Sequence, residues 1–126
     1  MSYTTVTHCG NDHSAWIKSL EFYDEEFDIL ETRLVEIVKK NNRQEAMAGV
    51  EHFQNQFIVQ RNKIDELMHS IKEHAGKVAS DSQAHVGKME SGLVDEHNSL
   101  HEQVDIFEKI VKDLRLEFNL FLSKWM

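Results

Sequence analysis

The side chains of this chain that can do chemistry are one cysteine, Cys9, and eight histidines: His8, His13, His52, His69, His74, His85, His97 and His101. Neutral imidazole is a ligand for Zn²⁺, Fe or Cu, and a thiolate is either a ligand or a nucleophile. The stretch "HCGNDHSAW", His8 to Trp16, gathers Cys9 and two histidines into six residues. As a nucleophile Cys9 would need a base aimed at its sulfur. His8 is adjacent in the chain, and adjacent side chains rarely point at each other. There is no CxxC and no Cys-His hydrolase pattern. Cys9 is therefore expected to be a small residue in a flexible lead-in, 1–11. His97 and His101 have the i, i+4 spacing that places two ligands on one helical face.

The elements that must position these residues are helices. Trp16, Leu20, Tyr23, Phe27, Leu30, Leu34 and Ile37 alternate steps of four and three, a heptad seam. Ile17, Phe22, Ile29 and Val38 are expected to widen it. Asn11 or Asp12 can cap its start, and Lys39 and Lys40 suit its end. A second seam follows at once: Val50, Phe53, Phe57, Gln60, Ile64, Leu67, Ile71 and His74. Asn42, with Glu45 three residues on, reads as its cap. Gly76 to Gly92 holds three glycines and three serines and reads as a connection that can carry a short helical piece. A third helix starting early, at Ser80 or Asp81, is the alternative. The third seam is Leu93, His97, Leu100, Val104, Phe107, Val111, Leu114, Phe118, Phe121 and Trp125.

The expected fold is all-α, an antiparallel up-down-up bundle of three long helices, about 12–41, 43–75 and 93–126, in one domain spanning 1–126. Each helix would be about 45 Å long. An in-chain helix pair completed by a partner chain would satisfy the same pattern.

On that bundle seven of the eight histidines fall at one end, and only His52 at the other. Extending the first seam back by three from Trp16 reaches His13. Each helix then contributes one inward histidine near the same end: His13, His74 and His97. Asp12, Glu73 and Glu96 stand beside them as a fourth ligand or as orienting carboxylates. Set against a metal site is a structural polar layer, because helix ends are wet and their histidines commonly bond to backbone or water. Gln60, alone mid-seam, reads as a register-fixing amide. The acids Glu21, Asp24, Glu25, Glu26, Asp28 and Glu31 form a patch that is a solvated face, a docking face or a loose cation site. They lack the glycine and alternating oxygens of a calcium loop.

Composition excludes several classes. Acids outnumber bases 22 to 14, for a net charge of −8. Nucleic acid is therefore not an expected partner. No apolar run approaches the roughly 20 residues of a membrane span. The N-terminus lacks the basic-then-apolar pattern of a signal peptide, and one cysteine suits a reducing compartment, so a cytoplasmic setting is expected. Proline is absent from all 126 residues, which favours long helices.

Two iron families fail on their motifs. "ELMH", Glu66 to His69, is a lone ExxH, whereas ferritin-like di-iron bundles use a pair. "EHFQNQF" is similar to the His-Phe stretch of hemerythrins. However, Gln56 stands where that family has a glutamate, four residues separate His69 from His74 instead of three, and Asp105 follows His101 one position early. The stretches "DHSAW", "VEHFQNQF" and "FEKI" to "FLSKWM" resemble short bacterial helical proteins of no assigned activity, over most of the chain. That resemblance implies a helical fold and nothing about chemistry.

No nucleophile-base-orienter set, phosphate loop or nucleotide fingerprint supports an enzyme. The expected function is a non-enzymatic interaction or scaffold protein without a cofactor. The alternative is a metal-binding or metal-sensing bundle holding Zn or Fe on His13, His74 and His97. A metal hydrolase ranks third. The C-terminal "LRLEFNLFLSKWM" is apolar on more than one face, so self-association through Phe118, Leu120, Phe121, Leu122 and Trp125 is expected, with a second protein as the other occupant.

Overall fold

The computed structural model describes residues 6–85 and 90–126, with side chains for 8–81 and 90–126. They form three helices and no strand among the described residues: α1 Val6–Lys40, α2 Gln44–His85 and α3 Ser91–Trp125. Every pair of helices is in contact, and the order is up-down-up. The all-α bundle read from the heptads is the fold.

The three seams form the core. Leu20, Phe27, Ile37, Phe57, Ile71, Val104 and Phe118 are among its fully enclosed side chains. Each contributes roughly 1.5–3 kcal/mol by leaving water. At the end where α1 and α3 finish, Phe53, Phe57, Phe118 and Phe121 pack ring against ring. Gly49 permits this. A Cβ there would fall 2.2 Å from Phe121 Cε1, so only glycine lets the ring lie against the α2 backbone. Asn41 closes the same end, donating from Nδ2 to the Ile37 carbonyl at 3.1 Å and the Trp125 carbonyl at 2.9 Å.

Several expected boundaries are corrected. α1 begins at Val6, not near 12, so residues 6–11 are helix and not a loose lead-in. Asn11 and Asp12 lie inside it and cap nothing. The 4-3 alternation continues one step beyond His13 to Cys9, which is completely buried, and that burial draws the extra turn into the helix. α2 likewise runs ten residues past 75 to His85. Val78, four after His74, is buried on the same seam, while Gly76 faces open space and tolerates helix. Ser80 and Asp81 belong to α2 and start nothing. Of the 76–92 connection, 76–85 and 91–92 are helical, and 86–89 lie outside the described residues. Asn42 is not the cap of α2: the first helical bond runs from the Met47 N–H to the Arg43 carbonyl, 3.1 Å. Phe22, Ile29 and Val38 do not widen the core, being about half exposed. Part of the acidic patch is spoken for: Arg61 of α2 bonds Asp24, Asp28 and Glu31 of α1 at 3.3, 2.6 and 2.9 Å. The guanidinium offsets the repulsion among these carboxylates.

Candidate metal centre

Four side chains meet inside the bundle at the end where α1 begins. Cys9 and His13 come from successive seam positions of α1, His74 from α2 and His97 from α3. One donor atom of each lies within 4.8 Å of all the others. The Cys9 sulfur is 3.1 Å from His97 Nδ1, 3.3 Å from His13 Nε2 and 3.9 Å from His74 Nε2. Ligands around a tetrahedral Zn²⁺, with Zn–S of about 2.3 Å and Zn–N of about 2.0 Å, stand about 3.5 Å apart. The observed separations bracket that value. All four residues are at least nine-tenths buried.

The far sides of two imidazoles are held by carboxylates. His74 donates from Nδ1 to Glu96 Oε1 at 2.5 Å, and His97 donates from Nε2 to Asp12 Oδ2 at 2.8 Å. A carboxylate cannot donate, so each contact fixes the tautomer. The proton sits on His74 Nδ1 and His97 Nε2, and the lone pairs of His74 Nε2 and His97 Nδ1 face the sulfur. Lys77 steadies Glu96 from behind at 3.4 Å. The carboxylate–histidine–donor arrangement is the one that orients metal-bound histidines.

The electrostatics favour a cation. Burial, helped by the Asp12 charge, pushes the Cys9 thiol up to about 11. Burial also pushes His13 down to about 4, with His74 and His97 adding repulsion and Asp12 opposing. Burial lowers His74 too, against the pull of Glu96. The His74 hydrogen bond, in turn, holds the Glu96 carboxyl below its usual range. Metal-free at neutral pH, burial keeps the Cys9 thiol and the His13 and His74 imidazoles uncharged. At least two nitrogen lone pairs then converge on a single S–H that can satisfy one of them at a time. A dication held by Cys9, His13, His74 and His97 would remove this mismatch, with the thiol giving up its proton to solvent. The Cys9 thiolate, Asp12 and Glu96 would then offset its charge, with Lys77 beside Glu96.

Cys9, His97 and Asp12 also line up as a nucleophile, a base and an orienting acid. That reading fails on access and charge. A catalytic thiol is exposed and has a lowered pKa, whereas Cys9 is sealed and its pKa is raised.

The other candidates are elsewhere. Glu73 pairs with His69 at 3.3 Å, and His101 with Asp105 at 3.3 Å, all on the surface. His101 touches the centre only through Trp16, whose ring also lies 4.7 Å from that of His97. His8 is exposed and 3.6 Å from Asp12. His52 lies against Phe53 at the far end. The side chain of His85 lies outside the described residues. Cys9 is the member that sequence reasoning missed. Its signal was the i, i+4 step to His13. No family model, curated protein or solved structure matches this chain.

Proposed function

We propose that the protein is a non-enzymatic Zn²⁺-binding bundle, with Cys9, His13, His74 and His97 as its four ligands. One observation carries this: four buried donor atoms from three helices within 4.8 Å of one another. One thiolate and three imidazoles suit Zn²⁺ and exclude Mg²⁺ and Ca²⁺, which take oxygen ligands. Four protein ligands leave no open coordination position, so the metal ties helices together or reports its own availability and does not activate water. A cytoplasmic setting fits, because a reducing compartment keeps the lone thiol free to ligate.

The test uses untagged protein stripped of metal and reloaded. One Zn²⁺ per chain should bind by elemental analysis. Co²⁺ should give tetrahedral d–d bands and a thiolate-to-metal charge-transfer absorption. Cys9→Ser should abolish the charge-transfer band and weaken binding by more than the roughly 10–100-fold that loss of a carboxylate behind a ligand costs. Substoichiometric metal, with melting unchanged by Zn²⁺ or a chelator, would reject the proposal.

Self-association at the C-terminal end is a second reading, favoured by Leu116 and Leu120, which are 65% and 74% exposed. Its residue set narrows. Phe118 is enclosed within the chain, and Phe121 and Leu122 pack on the core, which leaves Leu120 and Trp125 of the expected five. Sedimentation should show a dimer that Leu120→Glu weakens, and a wild-type monomer at high concentration would end the idea. Among the described residues no helix is long and apolar enough to cross a membrane.

A further inference from the structure

Beside the four clustered donors, α2 and α3 part into a groove of about 500 Å³. One of those donors, His74, lines it. The rest of the lining is largely polar. Glu73 and Lys77 of α2 face Asp95, Glu96 and Ser99 of α3. Three carboxylates thus stand against one ammonium, and that ammonium lies 3.4 Å from Glu96. The His74 ring itself is sealed, with a side-chain exposure of 0%. Its Nδ1 donates at 2.5 Å to Glu96, whose side chain is 38% exposed. Glu96 therefore touches solvent on one side and a donor ring on the other. The flank between α1 and α3 is different. There Trp16, 7% exposed, lies against His13 and His97 with ring centroids 5.6 and 4.7 Å away.

Four donors this deeply buried need a way in for their ion. We infer that the groove between α2 and α3 is the port through which a hydrated divalent cation reaches and leaves them, with Glu96 handing it inward; this rests on the metal reading above. A hydrated ion, whose six waters take roughly 180 Å³, fits the groove. Carboxylates at its mouth concentrate cations, and clefts of one charge sign raise on-rates by about 10–10³-fold. When Glu96 turns from His74 to the ion, the bond that fixes the ring is released and the ring can swing to let the ion pass. The ion moves on because Zn²⁺ prefers imidazole and thiolate to carboxylate oxygens, so the groove carries it and does not keep it. The Cys9 proton goes to solvent as the thiolate takes the ion.

The probe is Co²⁺, mixed in stopped flow with metal-free protein. Growth of the thiolate-to-metal charge-transfer band gives the loading rate. Glu73→Gln with Asp95→Asn removes two exposed charges at the mouth. Loading should slow about tenfold at low ionic strength, and the difference should shrink at about 1 M salt, where the Debye length is about 3 Å. Asp113→Asn with Glu117→Gln makes the same change of charge at exposed positions about 24 Å or more along α3 from His97, and should leave the rate nearly unchanged. Ser99→Phe narrows the groove without changing charge and should slow loading at any salt. A port is crossed in both directions, so the first pair should slow release into excess chelator by a similar factor and leave Kd nearly unchanged. No band in the wild-type protein would end the metal reading and this inference with it. A full band that every variant reaches at the same rate would leave the metal reading standing and overturn the port. So would equal slowing by both charge pairs, which means the field of the whole chain. A Kd weakened in step with the rate, with release unchanged, would also overturn it, because the carboxylates then act on the bound ion and not on its passage.

Discussion

Asp12 and Glu96 set the proton positions on His97 and His74, and so decide which nitrogens face the Cys9 sulfur. Asp12→Asn and Glu96→Gln keep an acceptor of the same shape and remove its charge. Each should lower Zn²⁺ affinity by about 10–100-fold, measured by competition with a chromophoric chelator. Unchanged affinity would mean that the carboxylates are bystanders. Proton linkage gives a second test, in the metal-free protein. His13 titrates near 4 in the fold and near about 6.5 unfolded. Between those values the unfolded chain binds a proton that the folded chain refuses. Stability is therefore complete above about pH 6.5 and falls as pH drops toward about 4, by at most about 3 kcal/mol for this residue. His74 shifts in the same direction. Denaturant midpoints should fall between about pH 7 and pH 5, and a flat profile would show that these rings protonate freely in the fold. Three of the four clustered side chains were legible because His13, His74 and His97 occupy seam positions that side-chain period alone fixes. Cys9 was hidden by its neighbours. Gly10, Asn11 and Asp12 look like a lead-in, and only the tertiary burial of the sulfur makes them helix.

The helices themselves were visible as heptads, and their ends were not, because a glycine's local preference competes with the burial around it. Gly76 signals a loop, and a helix interior pays about 1 kcal/mol for it relative to alanine. Burial of Ile71, His74 and Val78 on either side outweighs that, and α2 continues. Gly49 sits in the same helix for the opposite reason, since Phe121 occupies the space its Cβ would need. The two glycines therefore predict opposite signs. Gly76→Ala should stabilise the bundle by about 0.5–1 kcal/mol, because nothing stands within 4 Å of the new methyl. Gly49→Ala should destabilise it by about 1–3 kcal/mol despite the better helix former, because the ring must move. Adding Phe121→Leu to Gly49→Ala should recover part of the loss. Denaturant midpoints at constant m-value measure all three. An equal gain from both alanines would show that Phe121 shifts without cost.

For the molecule as a whole, the two ends of the bundle are held by different physics. Rings interlock where α1 and α3 finish, and that end was readable from the Phe-rich seams. At the other end four side chains that can ligate a metal replace apolar core, and under the proposed function a bound metal would supply the cohesion there. Held by residues 9, 13, 74 and 97, such an ion would cross-link all three helices, including α1 and α3, which no chain connection joins directly. With free Zn²⁺ at about 1,000 times its Kd, linkage adds about 4 kcal/mol, and chelation should lower Tm by roughly 10 °C or more. The distribution of the effect is more telling than its size. Metal-free, the polar end should open without the rest, so amides of 9–16, 71–81 and 94–101 should exchange at a lower free energy than those around Phe57 and Phe118. Metal-loaded, opening that end requires releasing the ion, and both groups should exchange at the same global free energy. Hydrogen exchange in the two states reads this directly. A gap between the ends that metal leaves unchanged would mean that the four donors do not tie the helices together.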